Sequence, residues 1–222
     1  MDFSDPVTIF VSSFIIAISG ALMPGPLLAV TVRHTSRQGF VAAPMLVLGH
    51  AVLEAVLLAL LIFGLIEWLK GDAPIAVVSI AGSCMLLWMA AGMAKEARTI
   101  RFQAEKENAA EFSTSAGKLR IVADGILSSV ANPYWFLWWA TIGLGYLLLA
   151  QGRGTSGVMA FFFGHISADV VWYLLVGWVV SAGRGWFADR AYRVVIGVCA
   201  VFLVFCACSF GYMGITRLVR IL

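Results

Sequence analysis

Four stretches of this 222-residue chain, 6–32, 73–94, 125–152 and 194–216, contain no Asp, Glu, Lys or Arg. Soluble domains rarely leave segments of that length uncharged, because about a quarter of their residues carry charge. In lipid, a crossing segment finds no outside partner for its N–H and C=O groups, so it must satisfy them internally as a helix. About 20 apolar residues suffice. Two further apolar runs each hold a single acid, Glu54 in one and Asp169 in the other. Together they predict six spans, at 7–32, 40–66, 74–94, 121–150, 156–181 and 194–216. The chain is 61% hydrophobic and 12% charged. That balance excludes a soluble enzyme, a disordered chain and a disulfide-stapled secreted domain. The uncharged runs also exceed the roughly ten-residue alternating segments of an outer-membrane barrel. A scattered net charge of +3 gives no footprint for nucleic acid. The expected fold class is an all-α membrane protein.

Orientation follows from Lys and Arg. Arg33 and Arg37 lie after the first span. Lys95, Arg98, Arg101, Lys106, Lys118 and Arg120 lie after the third, and Arg184, Arg190 and Arg193 after the fifth. The opposite side carries only Lys70, Arg153, Arg217 and Arg220. This bias places those three loops in the cytoplasm and both termini outside, in the cytoplasmic (inner) membrane. Asp2 and Asp5, with no early Lys or Arg, argue against a cleaved signal peptide. Trp68 and Trp186 fit an interfacial belt. Cys84, Cys199, Cys206 and Cys208 fall within spans and read as small apolar residues, not disulfides or metal ligands. A polar stretch, 95–119, is expected to be a cytoplasmic linker between an N-terminal half, 1–94, and a C-terminal half, 120–222.

The halves resemble each other. Gly49-His50-Ala51-Val52-Leu53-Glu54 and Gly164-His165-Ile166-Ser167-Ala168-Asp169 both read Gly-His-x-x-x-acid, midway along the middle helix of each half. Ser19 and Ser128 each stand five residues before a proline, Pro24 or Pro133. An odd number of spans per half inverts the second copy. The chain therefore reads as two inverted three-helix repeats with broken helices in spans 1 and 4, a plan that recurs among secondary transporters.

Charge inside a bilayer costs about 2.5–3.5 kcal/mol per residue on insertion scales, so it marks function by default. Only Glu54 and Asp169 among the acids sit deep, together with His50 and His165. Spacing of i, i+4 puts each His on the face of its acid. If the repeats meet, two imidazoles and two carboxylates converge. Such a cluster suits proton or cation coupling, a divalent-metal site, or paired helix contacts. Met23-Pro24-Gly25-Pro26 cannot continue as regular helix, because proline lacks the N–H and clashes with the preceding turn. A new half-helix over Leu27–Ala29 would present free N–H groups to an anion such as a carboxylate. Asn132-Pro133 repeats the break more weakly, with Asn132 able to bond a ligand or a freed carbonyl. Trp135, Trp138 and Trp139 share a face and can wall a pocket for an ammonium group, or simply pack. No Cys-x-x-Cys or Ser–His pairing supports an enzyme, and no cofactor is expected.

Met23-Pro24-Gly25-Pro26, Gly39, Gly49 with Glu54, and Asn132-Pro133 with its aromatics resemble the LysE/RhtB family of exporters across essentially the whole chain. The resemblance implies ion-driven efflux of amino acids or similar small amphiphiles. The wider superfamily includes cadmium, manganese and nickel exporters. The chain departs from the usual pattern in carrying Glu54 where Asp is customary, and in His50 and His165. The expected function is therefore a proton-coupled secondary exporter of amino acids or small amines. The alternative is a divalent-cation exporter using His50, Glu54, His165 and Asp169. The expected substrate- and proton-binding residues are those four with Pro24, Gly25, Pro26, Asn132, Pro133, Trp135 and Trp138. Expected partners are a small-molecule substrate, a proton or other ion, and the bilayer. Gly177-x-x-x-Ser181 and Ala207-x-x-x-Gly211 allow a homodimer.

Overall fold

A computed structural model describes residues 5–65, 72–99, 115–183 and 189–221. The described elements are all helical. Helix α1 spans Pro6–Ala21, where the Asp5 carboxylate accepts the Val7 N–H at 3.2 Å and Pro6 opens the first turn. It stops where the proline chemistry requires. Carbonyls that would bond to Pro24 and Pro26 have no N–H to receive, and Leu22 and Met23 close the last turn onto Ile18 and Gly20 instead. Gly25 is extended, and α2 (Pro26–Gln38) restarts at a bend of 79° to α1. Gly39, at φ 92°, turns the chain into α3 (Ala42–Leu60), because only glycine takes that backbone without strain. A π turn, Leu61–Leu65, follows.

Helix α4 spans Asp72–Thr99 and α5 spans Ser115–Val130. The expected span 121–150 is broken, as Asn132-Pro133 predicts. After α5, α6 covers Pro133–Trp138, a π turn Trp139–Gly143, and α7 Leu144–Gln151. Pro133 again ends the upstream helix, and Asn132 caps the next one by accepting the Tyr134 N–H at 3.1 Å. Helices α8 (Gly154–Ala182) and α9 (Asp189–Ile221) complete the chain. The ends of the expected linker 95–119 are helix, in α4 and α5. Its residues 100–114, like Trp68 and Trp186, lie outside the described residues.

Among the described residues, four helices are long and apolar enough to cross a membrane: Ala42–Gly64, Asp72–Lys95, Gly154–Ala182 and Arg193–Ile221. The bent pair α1–α2 makes a fifth if counted as one broken span.

Three pairings dominate the packing: α1 against α8, α3 against α5, and α4 against α9. Glycines permit the first two. A Cβ on Gly49 would overlap the carbonyl oxygen of Val122, one on Gly125 that of Leu46, and one on Gly164 that of Phe10. In the third pairing, the Ser83 hydroxyl donates to the Ala207 carbonyl at 2.8 Å, and Gly211 lies against Ser83. Arg217 pairs with Asp72 near the other end of the same two helices. Gly177 lies against Ala43, and Ala207 is fully buried. Gly177, Ala207 and Gly211 of the small-residue pairs thus meet partners within the chain. Cys199 and Cys206 are buried, Cys84 and Cys208 are exposed, and all four are free thiols.

Candidate functional site

The cluster of four forms because α3 and α8 pack directly against each other. Within each helix the i, i+4 spacing places His50 with Glu54 and His165 with Asp169 on one face. All four are buried: Glu54 is 1% exposed, His50 6%, and His165 and Asp169 5% each. His165 Nε2 stands 2.7 Å from Glu54 Oε2, an ion-pair contact whose angles fall outside those of a hydrogen bond. His50 Nε2 is 3.2 Å from Glu54 Oε1 and 3.7 Å from Asp169 Oδ2, and His165 Nε2 is 3.6 Å from Asp169 Oδ2. The two triplets therefore contribute to one site, with cross-half contacts as close as those within each helix.

Protons can be partly assigned from donors and acceptors. The Ser129 hydroxyl donates to the Gly125 carbonyl at 2.8 Å, so its oxygen accepts from His50 Nδ1 at 2.8 Å. The other nitrogen, Nε2, then faces two carboxylate oxygens. A proton lies along that line whichever side holds it, since two acceptors facing each other in a dry interior would be unsatisfied.

The tryptophans do something the sequence did not disclose. Trp135 Nε1 and Trp139 Nε1 donate to the same Glu54 oxygen, Oε1, at 2.9 and 3.0 Å. Indole is a donor only, so Oε1 is held as an unprotonated acceptor. Trp138 plays a different part. Its ring lies 4.5 Å from the His165 imidazole, its N–H has no hydrogen-bond partner, and it lies against Gly20. The shared-face wall is thus split by role. The two carboxylates are also unlike. Glu54 is anchored by two indole donors, whereas Asp169 Oδ2 is buried without a hydrogen bond.

A cavity of about 50 Å³ borders the cluster. His50, Glu54, His165, Asp169, Asn132, Trp135 and Trp138 line it, together with Ser129 and Tyr173. Pro24, Gly25 and Pro26 are not among the lining residues. They act on the backbone: a Cβ on Gly25 would lie 3.3 Å from Asn132 Nδ2, so the two broken points abut. Asn132 Oδ1 is committed to capping α6. Leu27, in the first turn of α2, reaches the cavity rim. The volume exceeds one water's roughly 30 Å³ share of liquid but is far below the roughly 300 Å³ of a ligand pocket, so in this conformation the space is too small for such a ligand. His50, Glu54 and Asp169 each offer a ligand atom within 4.8 Å of the others, and their N/O chemistry suits a divalent cation.

Two features went unread in the sequence. Ser129 rather than Ser128 meets His50, while Ser19 bonds back to Ile16 in its own helix. His34 and Asp124, 90 positions apart, pair at 3.0 Å. Neither has a local spacing signal.

Membrane-length helices that bury paired ionisable groups beside a small cavity define a polytopic membrane transporter. Residues 18–214 match the LysE type translocator family, and the chain belongs to that family. It is a multi-pass membrane protein that moves small molecules, and not an enzyme. No curated protein and no solved structure matches the chain.

Proposed function

We propose that this translocator is a proton-coupled secondary exporter of amino acids or related small amines in the cytoplasmic membrane. The carrying observation is the convergence of His50, Glu54, His165 and Asp169, from two separate helices, at one small cavity. Such groups hold and release protons, and their acceptors suit a substrate ammonium. Glu54, bound by two indoles, is the fixed anion of the site. Asp169, with an oxygen left unbonded, is the group that exchanges a proton for the ammonium.

The two-repeat reading has support beyond the matched motifs. Helices α1 and α5 each end three residues before a proline. If α1 corresponds to α5, α3 to α8 and α4 to α9, then exchanging the halves turns the α1–α8 pairing into α5–α3 and leaves α4–α9 unchanged. These are the three dominant pairings. On that reading the chain makes six spans, counting α1–α2 and α5–α7 as one broken span each, with both termini outside. Transport follows from rocking the halves about the shared site.

A divalent cation is the second reading, favoured by the three convergent ligand atoms. Vesicles carrying purified protein distinguish the two. Under the first, Glu54→Gln and Asp169→Asn each abolish amino-acid efflux driven by a pH gradient. Wild-type efflux by both variants would sink the mechanism. Calorimetric titration with Zn, Mn and Ni tests the second: tight binding lost in His50→Ala, with amino acids inert, would favour it.

A further inference from the structure

Most of the buried polar atoms left without a hydrogen bond among the described residues stand on side chains that border the small cavity beside the cluster: Glu54 Oε2, Trp138 Nε1, both nitrogens of His165, and Asp169 Oδ2. Native interiors satisfy nearly all such groups, so their concentration at one place calls for a reason. The carboxylate oxygens and His165 Nε2 face one another as ion pairs. His165 Nδ1 can stand as the bare nitrogen of a neutral ring. An indole N–H has no such alternative, because it always carries its proton and never accepts. Trp138 is 5% exposed. Phenylalanine would fill the same interior without the cost of burying an unpaired donor. Trp135 and Trp139 spend their N–H groups on Glu54. Trp138 Nε1 faces the bare side of Gly20 instead, 3.0 Å from where a Cβ would stand. Helix α1 borders the cavity with Ala17, Gly20 and Ala21, none of which carries a polar side chain to meet that donor.

We infer that Trp138 is a specificity-determining residue of the transporter: its indole N–H receives a carboxylate oxygen of the substrate while Asp169 Oδ2 receives the ammonium. The part given to Asp169 rests on the exporter reading above, and the part given to Trp138 does not. Donor and acceptor border one cavity of about 50 Å³, so both charges belong to one small head group. A simple amine leaves the indole unpaired, and a divalent cation offers it no acceptor. A buried donor left unpaired is what lets a site reject the analogue that lacks the partner. The carboxylate thus meets α6 rather than the first turn of α2 that the prolines suggested.

The test needs no knowledge of the natural substrate. Isotope-labelled tryptophan gives a separate indole N–H signal for each tryptophan by NMR of the purified protein in detergent. The signal missing from Trp138→Phe identifies Trp138. Three probes are added in turn: a mixture of L-amino acids, a mixture of isobutylamine, isopentylamine and phenethylamine, and zinc chloride. The amino acids are expected to move the Trp138 signal downfield, as a new acceptor does, while the amines and zinc leave it in place. A signal that no probe moves would assign the N–H to a fixed water and overturn the inference. So would a signal that the amines move as far as the amino acids do. Efflux from vesicles gives the second readout. Trp138→Phe should raise the half-saturating concentration of a transported amino acid about ten- to hundredfold, the worth of one hydrogen bond to a charged group. Gly20→Ala, which sets a methyl 3.0 Å from Nε1, should do the same with the tryptophan intact, and it carries the test if Trp138→Phe does not fold. Unchanged half-saturation in both variants would overturn the inference. Asp169→Asn separates the two readings: the Trp138 signal should still respond to amino acids there, at higher concentration, although efflux is lost. A responding signal with unimpaired efflux in Asp169→Asn refutes the central-site mechanism and leaves the role of Trp138 standing.

Discussion

Three neighbouring tryptophans offer a controlled measurement of what holds Glu54 in the membrane interior. Each of Trp135→Phe, Trp138→Phe and Trp139→Phe trims an indole to a phenyl in the same packed region, so the packing losses largely cancel in comparison. They differ in the hydrogen bond removed. Trp135 and Trp139 each give an N–H to Glu54 Oε1 at 2.9 and 3.0 Å, while Trp138 gives its N–H to no partner. A hydrogen bond to a charged group is worth about 1.5–3 kcal/mol. Losing one at a carboxylate only 1% exposed leaves the oxygen short of a donor where water cannot substitute. A chain of this size loses roughly 2–4 °C of thermal midpoint per kcal/mol. Trp135→Phe and Trp139→Phe should therefore each fall about 3–12 °C further than Trp138→Phe, measured by thermal unfolding of the purified protein in one detergent. A double-mutant cycle of Trp135→Phe with Glu54→Ala should give a coupling of at least about 1 kcal/mol. Equal losses at all three tryptophans, or a coupling indistinguishable from zero, would refute the anchoring argument.

Two further outcomes test the packing and the proton assignment. Gly49→Ala drives a methyl into the Val122 carbonyl and should abolish a monodisperse peak in size-exclusion chromatography, whereas Gly92→Ala, on α4 with open space around it, should leave the profile intact. Ser129→Ala removes the acceptor of the His50 Nδ1 hydrogen and should cost about 1–3 kcal/mol in thermal unfolding, with little loss for its neighbour Ser128→Ala.

Much of the site was legible locally. Proline chemistry alone located the break at Leu22–Gly25, because a missing N–H is a property of the residue and not of its surroundings. The pairing of His50 with Glu54 and of His165 with Asp169 followed from helical periodicity in the same way. In the span drawn at 121–150 the break at Asn132-Pro133 was read from the proline, but the π turn after it was not. Asn132-Pro133 ended α5, and the π turn at Trp139–Gly143 re-aimed the following helix. Hydropathy averages over such breaks and does not register them.

Composition and residue spacing by themselves determined that this chain is helical, membrane-embedded, broken at its prolines and charged within two of its apolar runs. These properties are set by covalent structure and by the absence of water as a hydrogen-bond partner. Only the tertiary structure decided that Trp135 and Trp139, 81 and 85 positions from Glu54, supply its donors, and that Ser129 rather than Ser128 meets His50. It also decided that the two carboxylates have unlike surroundings. Those outcomes depend on how closely α3 approaches α5 and α1 approaches α8. That approach is fixed by glycines at the contacts, and no local pattern encodes which residues then face each other.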